Sequence, residues 1–261
     1  MEQSIISGYA EVNGIKMYYE IHGKGDIPLV LLHGGGSTIE TSFGILMPLL
    51  SAHCKVIAVE LQAHGRTTDR DAPETFEQDA DDVASLLKYL KIDKANILGY
   101  SNGGTTTLQI AIRHPQVANK IIVVSGGYKR DGFFTGFFDF MHNASIDNMP
   151  GLLKDAFLKV TPDQTRLQTM FEKDKARMIG FKDYSDDDIS GIKAPALFMV
   201  SAQDVMTVEH TQQMSRLVAG SDLAVLPGPH GGFIGAAEAD LPKNSKLPVV
   251  TAILVNEFLA K

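Results

Sequence analysis

Gly99-Tyr100-Ser101-Asn102-Gly103, preceded by the apolar run Ala95 to Leu98 and followed by a helix-like run from Thr105 to Arg113, is the stretch that decides the fold. A serine between a buried strand and a helix, flanked by glycines two residues away on each side, reads as a tight strand-to-helix turn. Such a turn strains the serine backbone and exposes its hydroxyl. A side chain at Gly99 or Gly103 would strike the neighbouring strand or helix. Without the strand and helix around it, Gly-x-Ser-x-Gly would be no more than a Gly/Ser-rich turn.

Working outward, the start of the chain alternates. Tyr9 to Val12 and Lys16 to His22 read as an antiparallel hairpin turned at Asn13-Gly14. Beyond it, Pro28 to Leu32, Val56 to Val59, Ala95 to Leu98, Lys120 to Val124, Ala196 to Val200 and Leu223 to Leu226 are continuous apolar runs. Such runs are expected of strands buried on both faces. Helical segments lie between them. The clearest is Phe76 to Leu90, with Val83, Leu86, Leu87 and Leu90 on one face. Asp79, Asp81 and Asp82 near its start favour the helix dipole and read as a solvated face. Pro248 to Leu259 reads as the closing helix. Strands alternating with helices imply an α/β fold, a mostly parallel sheet flanked by helices.

The alternation breaks from about Tyr128 to Ile192, where there are helix-like pieces but no convincing strand. The stretch is rich in Phe133, Phe134, Phe137, Phe138, Phe140, Met141, Met149, Phe157, Met170, Phe171, Met178 and Phe181. It reads as a helical cap, residues 128–192, inserted into a core domain of residues 1–127 and 193–261. Most of these apolar side chains would glue the cap down, and a few would line a cavity.

The 261 residues, 44% of them hydrophobic, are enough for a sizeable core. A net charge of −7 argues against nucleic acid or anionic membrane as partners. No apolar run reaches the ~18 residues of a membrane span. The single cysteine, Cys54, permits no intrachain disulfide and reads as a small buried apolar residue. No basic-then-apolar leader is visible at the start, so a cytoplasmic setting is expected.

Ser101 needs a base, an acid to orient that base, and donors for an oxyanion. Of the eight histidines, His230 lies in Pro227-Gly228-Pro229-His230-Gly231-Gly232, just past the last strand. A loop at a strand's carboxyl end can reach the crevice where such sheets bind ligands. His114 reads as structural, and His22, His53, His142 and His210 as surface or packing residues. Asp204, in the loop after the strand Ala196 to Val200, is the expected acid, although an Asx turn or a cap for the next helix would also explain it. Glu209 and Asp222 are weaker candidates. Oxyanion donors are expected from the backbone amides of Asn102 and of Gly35 in His33-Gly34-Gly35-Gly36, with Gly34 or Gly36 as alternatives to Gly35. The His33 side chain reads as a brace for that loop. The loop lacks the Lys-Ser/Thr ending of a P-loop and the spacing of a dinucleotide fingerprint. The scattered histidines and the lone cysteine suggest no metal site, and the chemistry requires no cofactor.

With these residues in view, the chain resembles the α/β-hydrolase superfamily over nearly its whole length. The resemblance rests on His33-Gly34-Gly35-Gly36, Gly99-Tyr100-Ser101-Asn102-Gly103, Asp204, His230 and the helical cap. The chain order Ser101, Asp204, His230 is that of this superfamily. Glu60-Leu61-Gln62-Ala63-His64-Gly65-Arg66-Thr67 is similar to the family's Asp-x-x-Gly-His-Gly-x-Ser loop and departs from it at Glu60, Ala63 and Thr67. The resemblance implies a capped serine esterase, with Ser101, Asp204 and His230 catalytic. A small to medium apolar ester would be its substrate, cleaved through an acyl-enzyme. Carbon–carbon bond hydrolysis, lactone hydrolysis, or service as a triad-bearing small-molecule receptor are the alternatives, because fold and triad do not determine function.

Overall fold

The computed structural model describes residues 5–242 and 244–261. Eight strands form one sheet: β1 (Ile6–Val12), β2 (Ile15–His22), β3 (Leu29–Leu32), β4 (Val56–Val59), β5 (Ala95–Tyr100), β6 (Ala118–Val124), β7 (Ala196–Gln203) and β8 (Asp222–Pro229). Their spatial order is β1-β2-β4-β3-β5-β6-β7-β8. β1 pairs antiparallel with β2, and β2 with β4; every later pairing is parallel. The expected hairpin turns at Asn13 and Gly14, both with positive φ (44° and 86°), the backbone a two-residue hairpin loop needs.

Among the described residues, ten α-helices accompany the sheet: α1 (Ile39–Phe43), α2 (Leu46–Ser51), α3 (Phe76–Tyr89), α4 (Asn102–Arg113), α5 (Phe137–Asn143), α6 (Gly151–Val160), α7 (Gln164–Ile179), α8 (Asp186–Ser190), α9 (Val208–Leu217) and α10 (Leu247–Ala260). Because strand side chains alternate between faces, the continuous apolar runs supply two cores. Val30, Leu32, Ile57, Val59, Ile97, Ile121 and Val123 pack with residues of α3 and α4. Leu29, Leu31, Val56, Ala58, Leu98, Ile122 and Val124 pack with residues of α1, α2 and α10. The closed core on each face holds the ends of the strands in place.

The chain steps from β3 outward to β4, then crosses back to β5 and continues to the other side. The order therefore reverses between β3 and β5, the kind of crevice in which open α/β sheets take ligands. The loop His33–Gly36 follows β3 and Ser101 follows β5, so both stand at that switch point.

Three expectations are corrected. The run Leu223 to Leu226 is not buried on both faces, because β8 is the edge strand and its Leu223 and Val225 are exposed. Asp79 and Asp82 are not on a solvated face; they are 1% and 0% exposed. The first turn of α3 is covered by other parts of the chain. Asp79 pairs with Arg177 of α7 at 2.6 Å, and Asp82 with Arg70 at 2.5 Å and Asn13 at 2.9 Å. Asp81 alone keeps some exposure and pairs with Arg113 and His114. Cys54 is half-buried against the second core and not enclosed in it.

Between β6 and β7 the chain forms α5 to α8, with no strand among the described residues of 128–192 and a single bridge from Phe133 to Met206. Phe133, Met149, Phe157, Met170, Met178 and Phe181 are buried. Tyr128 and Tyr184 are buried too, whereas Phe137, Phe138 and Phe171 are half-buried and Phe134 and Phe140 exposed.

Candidate active site

Ser101 sits between β5 and α4 with φ 55° and ψ −117°, a strained backbone for a residue with a side chain. The turn is enforced from both sides. A Cβ on Gly99 would fall 1.9 Å from the Gly103 carbonyl oxygen, and one on Gly103 would fall 2.1 Å from that of Leu32. Both contacts are with backbone, so α4 can leave β5 this sharply only with glycine at the two positions.

Ser101 Oγ is 3.1 Å from His230 Nε2, and His230 Nδ1 is 2.5 Å from Asp204 Oδ1. If Nδ1 donates to the carboxylate, Nε2 carries the lone pair that can accept the serine proton. Asp204 is itself held by four donors. Its Oδ2 accepts from Ser125 Oγ at 2.6 Å and Ser201 N at 2.9 Å; its Oδ1 accepts from Val205 N at 2.8 Å and Met206 N at 3.4 Å. Burial works to raise its pKa, but the bonds from His230, Ser125 and Ser201 outweigh burial and hold it below the ordinary carboxylate value. The Asx-type contacts to Val205 and Met206 coexist with the contact to His230, so the two readings of Asp204 are one arrangement.

The other face of His230 rests on Tyr100, with ring centroids 4.9 Å apart. Tyr100 Oη donates to Glu238 at 2.9 Å. Gly231 must be glycine here, because a Cβ would come within 2.3 Å of that hydroxyl.

In the loop after β3, Gly34 N donates to Ser42 Oγ at 3.2 Å and Gly36 N to His64 Nε2 at 3.2 Å. Gly35 N has no acceptor among the described residues. Asn102 N, in the first turn of α4, likewise has none, as expected at a helix start. Gly35 approaches the elbow closely: a Cβ there would fall 2.5 Å from Asn102 Nδ2. His33 braces the loop as expected. Its Nε2 accepts from Leu61 N at 3.0 Å and its Nδ1 donates to Gly34 O at 2.8 Å. Burial lowers its pKa to about 3, so it stays neutral.

Ser101 opens onto two cavities. A cleft of about 330 Å³ is lined by Gly34–Gly36, Phe137, Phe140, Met149, Phe171 and Asp174, among others. A pocket of about 90 Å³ lies toward β6 and β7, lined by Thr105, Ser125, Phe133, Val205 and Met206. Phe137 and Met178 wall both. Some aromatics of the β6–β7 connection do line a cavity, as its composition suggested.

Three features were not legible in sequence: Ser125, the Tyr100–Glu238 pair, and a buried ionic group on α7. In that group Arg177 pairs with Asp79 and with Asp174, and lies 3.8 Å from Glu74. Asp174 in turn accepts from Asn102 Nδ2 at 2.9 Å. The one hint was the i,i+3 spacing of Asp174 and Arg177, which on most helices marks a solvated pair.

The sequence model for the alpha/beta hydrolase fold matches residues 27–156, a range that includes the loop after β3 and the Ser101 elbow. The chain belongs to the α/β-hydrolase superfamily. It is 36% identical over 124 residues to the serine hydrolase BPHL of Homo sapiens, covering 46% of this chain and 43% of that protein. It is 28% identical over 126 residues to the 2-hydroxy-6-oxo-6-(2'-aminophenyl)hexa-2,4-dienoic acid hydrolase of Metapseudomonas resinovorans, covering 47% and 43%. The matched region thus spans less than half the length of these two curated relatives. Among solved structures, a serine hydrolase involved in carbazole degradation superposes with a TM-score of 0.79 at 21% identity, covering 98% of this chain and 99% of that one. That likeness is one of fold. No helix among the described residues is long and apolar enough to cross a membrane.

Proposed function

We propose that the protein is a serine hydrolase that cleaves carboxylic esters with an apolar acyl or alcohol part through an acyl-enzyme. The observation that carries the reading is the hydrogen-bonded chain Ser101–His230–Asp204, facing a largely apolar cleft. Ser101 Oγ attacks the ester carbonyl while His230 Nε2 takes its proton. The tetrahedral oxyanion is received by the free amides of Gly35 and Asn102, helped by the positive end of α4. His230 then protonates the leaving alcohol, and water, activated by the same imidazole, releases the acid. Asp204 holds the imidazole tautomer and offsets its charge when protonated. The large cleft and the small pocket take the two sides of the ester. Residues 128–192 serve as a cap over a core domain of 1–127 and 193–261. The reducing cytoplasm is the proposed setting, in keeping with a sole, unpaired Cys54.

A second reading, carbon–carbon bond hydrolysis, draws on the relative named for a dienoic acid. Against it, the cleft lining contains Asp174 and Glu238 and neither lysine nor arginine, a poor match for a carboxylate.

Steady-state hydrolysis of p-nitrophenyl butyrate by the wild type and Ser101→Ala tests the proposal. Turnover lost in the variant supports it. Turnover retained in the variant, or a wild type inactive on this and every other ester offered, overturns it.

A further inference from the structure

We propose that Asp174 is a substrate-binding residue whose Oδ2 takes the protonated amine of an ester bearing that amine one or two carbons from the scissile carbonyl. The inference rests on the ester-hydrolase reading and names the substrate class of the same site.

Asp174 stands on α7 and lines the cleft, its side chain 15% exposed. Its two oxygens are used differently. Oδ1 accepts from Asn102 Nδ2 at 2.9 Å and from the Arg177 guanidinium. Oδ2 accepts no hydrogen bond among the described residues. His64 Nε2 lies 3.9 Å from it, and that nitrogen has no proton to offer. It accepts from Gly36 N, while Nδ1 of the same ring donates to Gln62 O at 2.8 Å. Burial further lowers the His64 pKa and keeps the ring neutral. A partly shielded carboxylate oxygen without a donor is costly, and a ligand donor would remove the cost.

The position of Oδ2 fixes where the amine must lie. A Cβ on Gly35 would fall 2.4 Å from it, so it borders the very glycine whose amide is free for the oxyanion. A substrate carbonyl oxygen held by Gly35 and Asn102 places its α or β substituent next to Asp174.

The local charge points the same way. Glu74, Asp79 and Asp174 are three carboxyl groups sharing one guanidinium, Arg177. Burial raises the pKa of Glu74 and Asp79, the latter to about 7, whereas Arg177 overcomes burial at Asp174 and keeps it ionised. Asp174 is thus the carboxylate of the cluster that stays charged, and it is the one that borders the cleft. The cleft itself supplies no lysine or arginine, and an anionic substrate would face both Asp174 and Glu238.

The experiment compares kcat/KM for the benzyl esters of alanine and propionic acid and for monobenzyl succinate, in the wild type and in Asp174→Asn. The wild type is expected to prefer the alanine ester over the propionate by about ten-fold or more, the size of one charge-assisted hydrogen bond. The preference should reside mainly in KM, and the succinate should be slowest. In Asp174→Asn the alanine-to-propionate ratio should fall toward one, whatever the absolute rate. Equal use of the two esters by the wild type overturns the inference, as does a preference retained by a folded Asp174→Asn. If that variant proves unfolded by circular dichroism, Asp174→Glu replaces it and should keep the preference; its loss there also counts against the proposal. Hydrolysis of propionate without amine preference sinks this inference alone. Failure on every ester, p-nitrophenyl butyrate included, sinks the ester reading with it.

Discussion

Ser125 and Asp204 meet at 2.6 Å, the hydroxyl at the end of β6 donating to the carboxylate oxygen that His230 does not use. With the amide of Ser201 it anchors Oδ2 and leaves Oδ1 aimed at the imidazole. Asp204→Asn should keep the fold and lower kcat by about 10⁴, because an amide donor turns the imidazole to the wrong tautomer. Ser125→Ala keeps the charge and should cost far less, roughly ten-fold, the worth of one hydrogen bond to a charged group. Ester turnover together with thermal melting checks both, and equal losses for the two variants would contradict the roles assigned.

Two glycines of the site should separate under substitution. A Cβ on Gly35 meets the movable side chains of Asp174 and Asn102, whereas one on Gly99 meets the Gly103 backbone at 1.9 Å. Gly35→Ala is therefore expected to lose activity at least roughly ten-fold with little change in melting temperature. Gly99→Ala should destabilise by about 3 kcal/mol or more, since neither backbone can yield without strain. Chemical denaturation read beside turnover distinguishes the two outcomes.

Arg177 is enclosed, its side chain 2% exposed, and its guanidinium lies 4.8 Å from the centre of the Phe76 ring. Arg177→Met removes the guanidinium that Glu74, Asp79 and Asp174 share. Stranding buried carboxylates should cost about 3–5 kcal/mol. Urea unfolding at neutral pH measures it, and a loss under 1 kcal/mol would show that the cluster relaxes without its cation.

Glu60, buried beneath Arg66, has its pKa raised by burial from 4.5 to about 7 despite the nearby guanidinium. The folded state therefore holds this proton where the unfolded chain has released it. Its contribution is present below about pH 4.5 and is lost as pH rises to 7. The stability of the wild type relative to Glu60→Gln should fall across that window by up to about 3 kcal/mol. Denaturation curves for both proteins at pH 5 and pH 7.5 test the sign; a difference that stays constant would refute it.

Phe137 stands between the large cleft and the small pocket beside Ser101. Phe137→Ala should join them and move the preferred acyl chain to greater length, changing the ratio of long to short p-nitrophenyl esters by about ten-fold. An unchanged ratio would mean that the wall does not contact substrate.

Much of this was open to a sequence reader for a simple reason: it is local. A strand buried on both faces must be apolar throughout, so the runs at Leu29–Leu32 and Val56–Val59 show themselves. The elbow around Ser101 needs glycine where backbone presses on backbone, and Gly99 and Gly103 show that too. Asp204 and His230 stood out because they occupy loops at strand ends. The Asp79–Arg177 contact spans 98 residues and could not be seen. The same acidic turn reads as solvated until α7 is known to cover it. Glu238 and Asp174 were hidden likewise, being ordinary surface residue types on segments with no motif.

By itself the sequence determined the α/β architecture, the strand-to-helix turn at Ser101 and the order of Ser101, Asp204 and His230, because each follows from periodicity, backbone sterics or motif context within a short stretch. Only the tertiary structure decided which carboxylates are buried, which amide of the glycine loop is left without an acceptor, and which acid borders the cleft. Those are properties of packing: whether a charge is solvated, paired or aimed at a substrate depends on what distant segment lies against it, and no local pattern records that.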